Sequence, residues 1–194
     1  MLWRRVRHAG RTTARVVLAS LLLTTGCALN RSQVKSLSDR DAGRIQFDPV
    51  VATTIGALNA LTAQCGPARN RRVRTEERQV YRVEGIITRV KRERDHDIHL
   101  VLRDPSQVRE TLVVEADDPD FRLNVTSPYR SKLSAGRQML EALMLRSTAT
   151  PASDLVGLRV AVTGVGFFDI NHLQVGRARS CIELHPLLSI ERLP

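Results

Sequence analysis

From Gln79 onward, apolar and polar positions alternate in short runs separated by turn residues. This is the pattern of strands with one buried face. Residues 98–103 show it most cleanly, with Ile98, Leu100 and Leu102 on one side and His99, Val101 and Arg103 on the other. Residues 110–116 place Leu112, Val114 and Ala116 together in the same way. Ahead of them, residues 79–92 form a run rich in β-branched side chains and long for a strand, and Gly85 inside it predicts a bulge or sharp bend. Asp95-His96-Asp97 and Asp104-Pro105-Ser106 read as turns, and Asp117-Asp118-Pro119 stops the third strand.

The period then changes. Over residues 131–146, Met139, Leu140, Leu143 and Met144 make a helical stripe, with Ser131 or Ser134 as its cap. Strands resume at 158–168, where Leu158, Val160 and Val162 alternate with Arg159, Ala161 and Thr163. Gly164 and Gly166 continue the inward register, where a bent strand admits no bulk. Residues 182–188 complete the set. Three strands, a helix and two strands is the order of the oligonucleotide/oligosaccharide-binding (OB) barrel, a five-stranded Greek-key barrel with a helix between strands three and four. The expected fold is mainly β with one or two helices, and a small α+β sandwich is its rival.

Upstream of Gln79 the patterning is weaker. Val51, Ile55, Leu58 and Leu61 fall at helical spacing within residues 50–64, and Pro49 suits a helix start. Residues 69–78 read as a charged, solvated connector, with a patch for acidic lipid or polyanion as the functional alternative. Residues 28–48 are polar and aperiodic, as a tether would be. The first 26 residues hold Arg4, Arg5, Arg7, Arg11 and Arg15, no acid, and an apolar run over 16–23. That run is too short for a bilayer, which takes about 20 residues, and the layout is that of a secretory signal. Its end, LLLTTGC, resembles a bacterial lipobox, although Thr24 stands where leucine is preferred. The resemblance implies that Cys27 is acylated and becomes residue one, anchoring the protein to a membrane of the cell envelope; stable anchoring takes more than one acyl chain. The expected organisation is a signal peptide (1–26), a lipid-anchored tether (27–48), a short helix and basic connector (49–78) and an OB-like domain (79–194).

Charge changes less than it first suggests. The formal net charge of +10 falls to +5 once the leader's five arginines are set aside, which leaves a mildly basic surface. The outward positions of the second and third strands (His99, Val101, Arg103, Thr111, Val113 and Glu115) offer no aromatic platform for bases. Nucleic acid is therefore not the expected partner. No phosphate loop or nucleophile elbow is present, and no cofactor is expected. With Cys27 acylated, Cys65 and Cys181 remain. They either form a disulfide, closing a loop on the order of 100 residues and worth about 4–5 kcal/mol, or stay as two buried thiols.

The segments HLVLRDPS (99–106), TLVVEADDP (111–119), VTGVGFFD (162–169) and IELHPLLSI (182–190) resemble blocks of a family of uncharacterised bacterial extracytoplasmic proteins. The similarity spans residues 81–190. Phe121 stands where relatives often carry cysteine, and both the loop INHLQVGRARS and Cys181 depart from the pattern. The resemblance implies fold and compartment but no chemistry.

Two function classes follow. One is a non-enzymatic envelope binding or adaptor domain for an envelope protein or glycan. Its ligand edge is the pair of loops at 91–97 and 168–180, made basic by Arg92, Arg94, Arg177 and Arg179, with His172 beside them. The other is a metal-dependent hydrolase or phosphodiesterase built on Asp97, His99, Asp169, His172, Glu183 and His185, because carboxylates mixed with imidazoles suit zinc or a harder divalent ion. In sequence these six are only pairs, and His185-Pro186 equally fits a strand-end histidine bonded to backbone.

Overall fold

The computed structural model describes residues 31–66, 70–145, 155–170 and 174–194. The signal segment and Cys27 lie outside the described residues. Five strands close into a barrel: β2 (Gln79–Arg92), β3 (Ile98–Arg103), β4 (Thr111–Ala116), β5 (Arg159–Phe168) and β6 (Ile182–Arg192). A further strand, β1 (Gln46–Ala52), adds in parallel to the start of β2. The long β2 does the closing. Its first half pairs with β5, from Val80 opposite Val165 to Ile86 opposite Arg159. Its second half pairs with β3, from Ile86 opposite Arg103 to Arg92 opposite Ile98. β4 and β6 meet in parallel at Val114 and Leu184, and β5 and β6 run antiparallel. With α3 (Arg130–Leu145) between β4 and β5, this is an OB-like barrel.

The inward residues read from the alternation form the core. Ile98, Leu100, Leu102, Leu112, Val114, Ala116, Val160 and Val162 are buried in one cluster. Gly166 is required by close approach, because a Cβ there would stand 2.3 Å from the Glu76 carbonyl oxygen. The register shift of β2 falls between Ile87 and Arg89, not at Gly85. The helix packs on the core with Leu140, Leu143 and Met144 of its expected stripe, and only Met139 departs from it. Leu133, Gly136, Arg137 and Leu140 are buried, whereas Met139 is 45% exposed. Ser131 and Ser134 lie inside the helix; Ser127 Oγ accepts from the Tyr129 N–H just ahead of it.

The segment ahead of the barrel corrects three expectations. Residues 31–48 are not a free tether. α1 (Ser32–Lys35) and the turn after it bury Val34 and Leu37, and Leu37 joins Ala42, Ile45, Val80, Leu133 and Val165 in a second core. Polarity hid this because only a few apolar residues are needed when each is fully covered. The helix expected over 50–64 shrinks to α2 (Ile55–Asn59), since β-branched Val50 and Val51 extend β1 instead and Thr54 caps the helix after them, accepting from the Ala57 N–H. The described part of the 69–78 connector is only partly solvated, because Arg72 and Glu77 are buried. Arg72 pairs with Asp39 at 3.1 Å, both side chains fully buried. Glu77 pairs with Arg31 and accepts from the backbone N–H of Val73 and Phe168. Burying such charges is tolerated because each is paired and hydrogen-bonded.

Cys65 and Cys181 form a disulfide, with Cα atoms 5.2 Å apart and a sequence separation of 116. It ties the chain after α2 to the start of β6. No helix among the described residues is long and apolar enough to cross a membrane.

Candidate functional site

Two features meet at one side of the barrel. The first is a basic cleft of about 1030 Å³ at the turn end of the β2–β3 hairpin. Arg89, Lys91, Arg92 and Arg94 come from the hairpin, Arg122 and Phe121 from the loop after β4, and Gln174 and Val175 from the loop before β6. Lys35, from α1, completes six cations against Glu93, Asp95 and Glu115. Lys91 is already engaged with Glu93 at 2.8 Å, and the Arg122 guanidinium lies 4.8 Å from the Phe121 ring centre.

The second feature lies beneath the cleft, whose floor is His99 and Glu115. These two are direct cross-strand partners on β3 and β4, and His99 Nδ1 donates to Glu115 Oε1 at 3.0 Å. The other carboxylate oxygen, Oε2, lies 2.9 Å from His185 Nδ1 and 3.4 Å from Lys35 Nζ. His185 is fully buried in the middle of β6, not at a strand end. Its Nε2 donates to Asp117 Oδ1 at 3.1 Å, while Nδ1 is also 3.4 Å from Glu183 Oε1. Asp97 lies on the Asp117 side of the ring and accepts from the Asp118 N–H at 2.7 Å. Phe167 packs 5.5 Å from the His185 ring, with Arg31 and Lys35 over its face at 4.6 and 5.4 Å.

Burial is the largest influence on each of these groups. Together with repulsion from Asp117, it pushes the Asp97 carboxyl up to about 8. Together with Asp169 and Glu115, it pushes Glu183 up to about 7. Burial acts the same way on Glu115, but Lys35, His185 and His99 outweigh it and hold that carboxyl well below its ordinary range. For His185 burial opposes the charged ring, yet Asp117 and Glu115 prevail and the imidazolium is favoured well above its usual range. Lys35 is likewise held charged by Glu115 and Glu183 despite the cost of burial.

The structure sorts the expected site residues. Arg92 and Arg94 line the cleft. Arg177 and Arg179 do not: Arg177 Nη1 donates to Cys181 Sγ at 3.1 Å, and Arg179 pairs with Glu110 at 2.8 Å beside the β3–β4 turn. The residues of the expected ligand edge are thus divided, with Arg92 and Arg94 at the cleft and residues 179–181 held toward α2 by the disulfide and by bonds to Asn59 and Leu58. Within the same loop, Gly176 fits against Val101, where a Cβ would stand 2.2 Å from Cγ1. Gln174 lies 3.3 Å from His99 Nδ1. Consequently Val101 and Val113, read as outward-facing, are buried on both sides.

Of the six expected metal residues, His172 lies outside the described residues. No three of the others share ligand distance. Asp97 and His185 converge with Asp117, and Glu183 and His185 converge with Glu115. Asp169 is buried and influences Glu183 electrostatically. Sequence reasoning missed Glu115, Asp117 and Lys35. The available signal was an acid inside the apolar run LVVEA and a second acid directly after it; Lys35 carried none.

No family model and no curated protein matches the chain. Among solved structures, it is similar to a putative aspartyl-tRNA synthetase from Leishmania major Friedlin, at 11% identity and a TM-score of 0.39, covering 75% of this chain and 21% of that one. It is also similar to the apo form of the tRNA agmatidine synthetase TiaS, at 12% identity and a TM-score of 0.27, covering 61% of this chain and 30% of that one. The chain thus spans less than a third of either protein, and these likenesses carry no argument about activity.

Proposed function

We propose that this protein is a non-enzymatic, lipid-tethered binding module of the cell envelope, and that its ligand is an acidic glycan or comparable anionic polymer. The observation that supports the reading is the cleft of about 1030 Å³ with six cations at its walls and floor. Arg89, Arg92 and Arg94 make no ion pair among the described residues, so their charge is available to a ligand. The covered β3 face favours a glycan over an oligonucleotide: a single strand stacks its bases across open strands with aromatic platforms, and here Gln174 and Gly176 occupy that surface. The described residues begin at Arg31. Four residues of chain span at most about 14 Å at about 3.5 Å per residue, so an acylated Cys27 would keep Arg31 near the membrane.

The test is calorimetric titration of the protein with a defined uronic-acid or sulfated oligosaccharide, a neutral oligosaccharide of equal length, and a single-stranded oligonucleotide. The acidic glycan should bind best, and its affinity should fall with salt. Each charge-assisted contact is worth about 1.5–3 kcal/mol, so Arg92→Glu with Arg94→Glu should weaken binding by about 100-fold or more. Equal affinity for the neutral glycan, or a preference for the oligonucleotide, refutes the assignment. For the anchor, Cys27→Ser should release the protein from membranes, and retention there refutes lipidation.

A further inference from the structure

We infer that Glu115, Glu183 and His185 form a binding site for one divalent transition-metal ion of the zinc class beneath the basic cleft. This goes beyond the anion-binding reading and does not depend on it. Three observations carry the site. First, the three donor atoms are already assembled: His185 Nδ1 lies 2.9 Å from Glu115 Oε2 and 3.4 Å from Glu183 Oε1, and all three atoms lie within 4.8 Å of one another. Bonds of zinc length in a tetrahedral site set neighbouring donors about 3.3 Å apart. Second, two of these donors are buried and unpartnered. Glu183 Oε1 and His185 Nδ1 make no hydrogen bond, although their residues are 3% and 0% exposed. The 2.9 Å contact to Glu115 thus lacks the alignment of an N–H donor, and an unpartnered polar atom in a dry interior is costly unless something fills the gap. Third, the outer contacts are those a metal site uses. The Nε2–H of His185 goes to Asp117, which leaves Nδ1 as the ligand nitrogen. His99 engages Glu115 Oε1, which leaves Oε2 as the ligand oxygen.

The donor set of one imidazole and two carboxylates suits zinc and its neighbours better than calcium or magnesium, which prefer all-oxygen sites. The second possible group, Asp97, Asp117 and His185, is the weaker candidate because its His185 Nε2 is already committed to Asp117. Lys35 is the competing cation, 3.4 Å from the same Glu115 oxygen, but its side chain is 30% exposed and can turn outward.

The experiment uses the full chain purified in detergent, stripped with a chelator and titrated with zinc, with cobalt(II) as a spectroscopic stand-in. The expected result is one ion per chain and a cobalt spectrum of low coordination number. Glu183→Gln, which keeps the shape of the side chain, should weaken zinc by at least about 100-fold, since loss of an outer partner alone costs 10–100-fold. Asp117→Asn should weaken it by about 10–100-fold, and Lys35→Ala should bind at least as tightly as the parent. Far-ultraviolet circular dichroism and an intact Cys65–Cys181 bond check the fold of each variant. If a variant fails to fold, the parent's stoichiometry and cobalt spectrum decide the matter. Absence of stoichiometric uptake by the parent, an octahedral cobalt spectrum, or undiminished zinc binding by folded Glu183→Gln would each overturn the site.

Discussion

Leu37→Ala separates a folded arm from a loose tether. Leu37 is fully buried, packed with Ala42, Ile45, Val80, Leu133 and Val165. Its backbone is left-handed at φ 52°, a conformation that penalises alanine as it does leucine, so the substitution isolates the side chain. Removing three buried carbons costs about 2.4 kcal/mol in transfer, at about 0.8 kcal/mol per methylene. A cavity that does not collapse raises the loss toward about 5 kcal/mol. For a domain of this size each kcal/mol moves Tm by about 2–4 °C, so a fall of about 5–20 °C is expected. Urea unfolding followed by circular dichroism gives the free energy, and trypsin cleavage after the exposed Arg40 and Arg44 reports on the arm itself. Cleavage there should be slow in the parent and faster in the variant. An unchanged midpoint, together with equally fast cleavage of both proteins after Arg40, would refute the packing of this segment and with it the placement of Lys35 at the cleft.

The remaining predictions concern the disulfide, the buried acids and the plug. Cys65→Ser with Cys181→Ser should cost up to about 4–5 kcal/mol, the loop-entropy value for a closure of this length; a loss below about 1 kcal/mol in urea titration would show that the link constrains little. Asp97 has its folded pKa raised from 3.8 to about 8, so in chelator-treated protein its contribution is fully present below pH 3.8 and is lost as pH rises through about 8. Asp97→Asn should flatten the decline in stability over that window, and an unchanged pH profile of Tm would count against the burial of this carboxyl. Leu140→Ala, at a fully buried position of α3 in the barrel core, should cost about 2–5 kcal/mol, whereas Met139→Ala on the exposed side should stay within about 0.5 kcal/mol. Equal losses at the two positions would show that the helix face is wrongly assigned.

How far the sequence reached differs between the fold and the site. The alternation around Leu100, Leu112 and Val160 and the change of period near Leu140 were enough for strand order, because which face a strand buries is a local property with a period of two. Cys65 and Cys181 were legible as a candidate pair, but only their Cα separation of 5.2 Å decides for a disulfide. Two of the three residues in each candidate metal group were visible, as Asp97, Glu183 and His185. The third came from the end of β4 and the residue after it: Asp117 stands 68 residues from His185, and Glu115 stands 80 residues from Lys35. Arg177 and Arg179 look equivalent to Arg92 and Arg94 in sequence, yet the disulfide and Glu110 draw them elsewhere.

What the amino-acid sequence determined by itself was the order of the barrel's strands and its aliphatic core, since each follows from residues that are neighbours along the chain. What only the tertiary structure decided was that a polar segment at 31–48 is part of the fold, and that an acid on β4, an imidazole on β6 and a lysine on α1 meet at the floor of the cleft. A charged side chain looks solvent-facing in sequence. It can be buried only where distant charges arrive to pair with it, and that arrival is a property of barrel closure rather than of any local pattern.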